Sequence, residues 1–294
     1  MENLIKDCTS LLPTSSLSDG VARRDFLKVA LGSGFAVSTV PVAAQSVIKT
    51  DAAGLAAGIV TMTVDGTSVP VYRAQPEGKT GLPVILVVSE IFGVHEHIAD
   101  VARRFAKQGY LALAPELFVR QGDPLAIASV PELMKEIVAK TPDRQVMADL
   151  DACVAWAAQN GGNIDKLGIT GFCWGGRIAW LYAVHNRRVK AAVAWYGRLV
   201  GDKTAMTPAH PIDIAATLKT PVLGLYGGKD PGISPESIAQ MKAALAKGPN
   251  KSIFVVYPDS GHAFHADYRP NYVKADAKDG FARCLAWFKG HGVA

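Results

Sequence analysis

The sequence predicts an α/β chain: a mostly parallel central sheet with helices on both faces. Three observations carry this. Short apolar runs without polar alternation recur, Leu82–Ser89 (LPVILVVS) among them, and strands covered on both faces have that pattern. These runs alternate with stretches of helical periodicity, which implies parallel strands joined by right-handed crossovers. The chain has 294 residues, 49% apolar and 19% charged, enough to bury a sizeable core.

The elements follow in order. Residues 58–75 alternate around Asp65-Gly66, the signature of an N-terminal β-hairpin. Leu82–Ser89 is a strand. His95–Gln108 is a helix stopped by Gly109, and Tyr110–Ala114 is a short strand. Residues 131–160 are helical, with a break near Thr141-Pro142. Strands are expected at Leu167–Thr170, Ala191–Tyr196, Pro221–Tyr226 and Ile253–Tyr257. Helices are expected at Gly175–His185, Pro235–Lys247 and Asn271–Gly290. No repeat and no low-complexity segment interrupts residues 45–294, so one domain is expected over 58–294, after a linker at 45–57.

The first 44 residues read as an export signal. Arg23-Arg24-Asp25-Phe26-Leu27-Lys28 precedes a short apolar stretch (VALGSGFAVSTV) and the small residues Pro41-Val42-Ala43-Ala44. The paired arginines resemble a twin-arginine signal, read by export machinery through residues 23–28. Cleavage after Ala44 would leave a periplasmic or secreted protein. The apolar stretch is too short and too rich in Gly and Ser/Thr for a stable membrane span. Net charge is +5 without any run of five Lys or Arg, so no nucleic-acid footprint is expected. Cys153 and Cys284 lie in apolar helical stretches and read as small buried residues.

In open parallel sheets, sites form at the carboxyl ends of strands. Three groups fall there in chain order: Cys173 in Gly171-Phe172-Cys173-Trp174-Gly175-Gly176, Asp230 in Gly227-Gly228-Lys229-Asp230, and His262 in Ser260-Gly261-His262. Taken singly, each has an ordinary alternative. The glycines fit a close helix–strand contact, the Asp a turn, and the His a loop. Together they have the nucleophile–acid–histidine order of an α/β-hydrolase, with sulfur in place of oxygen at the nucleophile elbow. Cys173 would attack, His262 would move the proton, and Asp230 would orient the imidazole. The N–H groups of Trp174 and Ile91 would hold the oxyanion. His95, His97 and His265 are closely spaced, but no acidic or cysteine pattern completes a ligand set, and neither metal nor cofactor is expected.

With SEIFGVHEHI, APELFVRQG, GFCWGG, AWYG, GGKD and SGHAF on view, the chain resembles the dienelactone hydrolase (carboxymethylenebutenolidase-like) family of α/β-hydrolases over about residues 58–290. The resemblance implies a Cys173–His262–Asp230 triad and a small-molecule ester or lactone substrate. It implies that Glu90 contacts the resting thiol and assists its activation, and that Arg120 binds a substrate carboxylate. Tyr196 is a further candidate for the pocket, with plain core packing as its alternative. The family's second substrate-binding arginine, four residues after the histidine, is Ala266 here. Arg269 is close in sequence and Arg198 follows another strand end, but neither matches the motif. The expected activity is therefore ester or lactone cleavage through an acyl-thioester. The alternatives are a general carboxylesterase or thioesterase, or a non-catalytic binding protein on the same fold.

Overall fold

A computed structural model describes residues 48–294. The expected export signal lies outside the described residues. The hairpin at Asp65-Gly66 consists of strands β1 (Leu55–Val64) and β2 (Thr67–Pro76). Asp65 and Gly66 have φ of 49° and 77°. Two positive φ values in a two-residue loop match the twist of the flanking strands.

Six further strands complete the sheet: β3 (Leu82–Val88), β4 (Leu111–Pro115), β5 (Gly162–Phe172), β6 (Val189–Trp195), β7 (Val222–Gly227) and β8 (Ile253–Tyr257). Their order is β1-β2-β4-β3-β5-β6-β7-β8. The β1–β2 and β2–β4 pairs are antiparallel; all pairs from β4–β3 to β7–β8 are parallel. The chain runs from β3 to β4 on one side and continues with β5 on the other. That reversal opens a crevice at the carboxyl ends of β3 and β5, where Glu90 and Cys173 emerge.

The helices are α1 (Glu96–Lys107), α2 (Val130–Glu136), α3 (Asp143–Gln159), α4 (Trp174–His185), α5 (Pro211–Ile214), α6 (Pro235–Leu245) and α7 (Lys274–Gly290). Phe105 of α1 packs on Phe281 and Phe288 of α7, joining those two helices on one face of the sheet. Tyr182 of α4 donates to Asp151 of α3, joining helices on the other face. Between these layers β3 is buried almost throughout, which explains its unbroken apolar run.

Three differences from the sequence reading have physical reasons, and the expected helix break near Thr141-Pro142 is present. β5 begins at Gly162, five residues early, because Gly162 and Asn163 pair with Leu82 and Pro83 across a register shift; polar Asn163 and Asp165 hide that extension. The helical stretch 131–160 divides into α2, a short 3₁₀ turn and α3, with Pro142 as the N-cap of α3. α5 has four residues, too few for periodicity to reveal. The expected linker is docked from Ile48 onward: Thr50 N–H donates to Asp100 at 2.5 Å, Arg103 Nε to the Thr50 carbonyl at 2.7 Å, and Lys107 to Asp51 at 2.7 Å. Among the described residues no helix is long and apolar enough to cross a membrane.

Candidate active site

Cys173 is the turn residue between β5 and α4. It is buried, with φ 54° and ψ −116°, a conformation costly for a residue with a side chain. Glycines make the turn possible. A Cβ on Gly171 would lie 2.0 Å from the Gly175 carbonyl oxygen, and one on Gly175 would lie 2.4 Å from the Val88 oxygen. Backbone meets backbone at both contacts, so nothing can yield. Trp174 opens α4, so its N–H has no intrahelical acceptor, and the positive end of the helix dipole lies beside the sulfur.

His262 follows β8 and is buried. Its Nδ1 is 2.7 Å from Asp230 Oδ2. The other Asp230 oxygen accepts from Gly232 N–H at 2.9 Å, so both carboxylate oxygens are oriented. Asn271 donates to the His262 carbonyl at 3.2 Å and steadies the loop. Burial alone would depress the imidazole pKa. The negative partners Cys173 and Asp230 outweigh it and hold His262 well above its ordinary value. Positive φ recurs around the site, at 54° for Cys173, 38° for Tyr196 and 60° for Ala263. Strain of this kind concentrates where the surrounding structure fixes functional groups.

Glu90, fully buried after β3, accepts a hydrogen bond from the Tyr268 hydroxyl and lies 3.8 Å from His95 Nε2. Burial would raise its pKa, but His95, Arg269 and His97 prevail and bring it to about 2. The carboxylate is therefore ionised. Arg269 is held over the rings of Phe92 and Tyr268, at 4.7 and 4.6 Å. It enters no ion pair with a carboxylate within 4.0 Å among the described residues. Behind this layer His97 Nδ1 meets Asp267 at 2.7 Å, and His265 stacks on Phe172 with centroids 5.1 Å apart. Burial drives the pKa of His95 down and that of His265 far down. Among the described residues no group of three His, Cys, Asp or Glu could hold a metal.

The expected residues divide. Cys173, His262, Asp230, Glu90 and Tyr196 are gathered at one end of the sheet. The Tyr196 ring meets His262 edge-on at 5.1 Å, and its buried hydroxyl has no hydrogen-bond partner among the described residues. Burial, then the charge of Glu90, raises the phenol pKa well above normal. Arg120 is engaged within the fold: its guanidinium donates to both carboxylate oxygens of Asp149 on α3 and to the Val64 carbonyl. Sequence reasoning missed Tyr268 and His95 as partners of Glu90. Both stand inside quoted motifs or next to one, and only the fold brings them to the carboxylate. Cys153 and Cys284 are buried free thiols whose pKa burial raises further.

A mostly parallel sheet, an elbow cysteine at its switch point and a histidine–aspartate pair at later strand ends define the α/β-hydrolase class. The dienelactone hydrolase family pattern matches residues 69–292. The chain belongs to the dienelactone hydrolase family and hydrolyses a carboxylic ester or lactone. It is 54% identical over 289 residues to a Methylorubrum extorquens protein named "Putative carboxymethylenebutenolidase", covering 98% of each chain. A Bradyrhizobium protein named "Probable 2-oxo-3-(5-oxofuran-2-ylidene)propanoate lactonase" is 31% identical over 234 residues, covering 79% of this chain and 93% of that one. The crystal structure of "Putative Dienelactone Hydrolase" from Klebsiella pneumoniae is 53% identical, with a TM-score of 0.79, covering 80% of this chain and 98% of that one.

Proposed function

We propose that the chain cleaves its ester or lactone with Cys173 as nucleophile, through an acyl-thioester. The observation that carries this is the His262–Asp230 pair at 2.7 Å, with Cys173 as the other electrostatic partner of the imidazole. The Cys173 thiolate adds to the substrate carbonyl carbon, and its electron pair moves onto oxygen. The Trp174 and Ile91 N–H groups receive that oxyanion. As the carbonyl re-forms, the C–O bond to the leaving group breaks, and protonated His262 gives the leaving oxygen its proton. In a lactone that hydroxyl stays tethered to the acyl chain. Neutral His262 then takes a proton from water, whose oxygen attacks the thioester. Collapse releases the carboxylic acid and restores the thiolate–imidazolium pair. Asp230 holds the tautomer and supports the imidazolium. Glu90, ionised beside the site, assists thiol activation when substrate enters.

With Arg120 engaged by Asp149, we assign binding of an acidic acyl group to Arg269. Its guanidinium lies near Glu90 without a direct ion pair among the described residues, and two aromatic faces already hold it in place. Tyr196, with its free buried hydroxyl, would line the acyl pocket. Export through residues 23–28, with maturation after Ala44 and a periplasmic or secreted location, completes the reading.

Mass spectrometry of the purified chain mixed with a reactive aryl ester tests the reading. An acyl adduct on Cys173, absent from Cys173→Ala, and a mature start at Gln45 are expected. Full turnover by a folded Cys173→Ala chain would overturn the mechanism. A panel of lactones, aryl esters and thioesters separates lactonase from general esterase or thioesterase activity.

A further inference from the structure

We propose that Glu116 is a positioning residue for the oxyanion site: it holds the loop of residues 91–94 so that the Ile91 amide faces the reacting carbonyl. The inference rests on the cysteine-hydrolase reading above and adds a residue that reading does not use.

Glu116 directly follows β4. Its backbone N–H donates to the Pro70 carbonyl of β2 at 2.8 Å, which ties its main chain to the sheet. Its side chain crosses to the loop leaving the neighbouring strand β3. There Oε2 accepts the Val94 N–H at 2.8 Å. The carboxyl also lies flat against Gly93. A Cβ on Gly93 would sit 2.6 and 2.7 Å from the two carboxyl oxygens, and φ there is +71°. The loop is thus shaped to receive this side chain, and only glycine satisfies both demands.

Two residues on, Phe118 packs on Trp174 with centroids 4.8 Å apart. One short segment therefore touches the carriers of both proposed oxyanion donors. Glu116 holds the Ile91 loop, and Phe118 holds Trp174. The separation of two N–H groups decides how well they share one oxygen. A displacement of about 1 Å in such geometry costs on the order of 10²-fold in rate.

The state of the carboxyl fits the task. Burial raises its pKa to about 7, against the Val94 and Phe118 N–H groups that lower it; the charge of Asp123 raises it further. Its Oε1 is buried and has no close hydrogen bond among the described residues. In both its ionised and its neutral form, which coexist near a pKa of about 7, the carboxyl accepts from Val94 through Oε2. An amide of the same shape can do the same.

The test uses the full chain, an aryl ester substrate and iodoacetamide. Glu116→Ala is expected to lower kcat about tenfold or more, as a partly displaced oxyanion donor should, with KM within about twofold. Glu116→Gln is expected to keep kcat within about threefold of the parent, since it retains the acceptor for Val94. Alkylation of Cys173 generates no oxyanion, so its rate should be that of the parent in both variants. Three results would overturn the proposal: Glu116→Gln as impaired as Glu116→Ala, a change in KM alone, or alkylation falling in step with kcat. The last would place Glu116 behind the thiol or the fold as a whole. Ester turnover and Cys173 alkylation in the unsubstituted chain are measured first. A failure of the hydrolase reading appears there, and a failure of the Glu116 role appears only in the ratio of variant to parent.

Discussion

Arg120 and Asp149 form a two-point ion pair, with the guanidinium nitrogens 2.8 and 2.9 Å from the two carboxylate oxygens. The Asp149 side chain is wholly buried on α3. One of the same nitrogens donates to the Val64 carbonyl at the end of β1, at 3.2 Å. The pair therefore joins a helix layer to the hairpin. Removing the arginine leaves a buried carboxylate uncompensated, which usually costs about 3–5 kcal/mol. Arg120→Ala is expected to lower the urea midpoint by a corresponding amount and to leave KM for acidic esters unchanged. A selective rise in that KM, with normal stability, would return Arg120 to substrate binding.

Arg269 carries the opposite expectation. Its guanidinium rests on Phe92 and Tyr268, and its charge helps keep Glu90 ionised without a direct ion pair among the described residues. A charge-assisted hydrogen bond to a substrate carboxylate contributes about 1.5–3 kcal/mol. Arg269→Ala should raise KM about tenfold or more for esters with an acidic acyl group. Neutral esters should change little. Paired steady-state measurements on the two substrate types decide the matter, and equal loss on both would assign Arg269 to the scaffold.

The His262–Asp230 pair sets the pH dependence. The folded imidazole titrates well above its ordinary value of 6.5, chiefly because Cys173 and Asp230 are negative partners. The proton needed by the leaving group is thus present at neutral pH. It is lost as pH rises through the raised value, so kcat should fall on that basic limb. The same proton stabilises the fold. Its contribution is complete below the unfolded value and disappears as pH rises through the folded one. Asp230→Asn should shift the basic limb of the pH–rate profile to lower pH and reduce kcat by on the order of 10³–10⁴-fold, the cost of misorienting such a histidine. An unmoved limb would show that another group governs it.

Much of this architecture was legible beforehand because it depends on local chemistry. The buried strand Leu82–Val88 announces itself by composition, and Ile253–Tyr257 by both of its ends. The hairpin turn follows from two residues that tolerate positive φ. The elbow was readable because backbone collisions at Gly171 and Gly175 exclude every other residue. The edge position of β8 was hidden. Ile253 and Val256 are exposed there, yet an apolar edge strand has the same sequence pattern as a buried one.

The allocation of charged side chains was less legible. Arg120 stands in a motif whose resemblance implies substrate binding, but a partner 29 residues away claims it. Glu90 takes its hydrogen bond from Tyr268, 178 residues away.

By itself the sequence determined the order of elements, the chemical identity of the cysteine, aspartate and histidine, and their succession at strand ends. These are properties of short windows and of chain order. Only the tertiary structure decided which partners Arg120 and Arg269 meet, what surrounds Glu90, and that Glu116 reaches the loop carrying Ile91. The reason is that β3 lies between β4 and β5. That order of strands, rather than distance along the chain, sets which side chains share the crevice, and burial there leaves each charge only the partners the sheet brings to it.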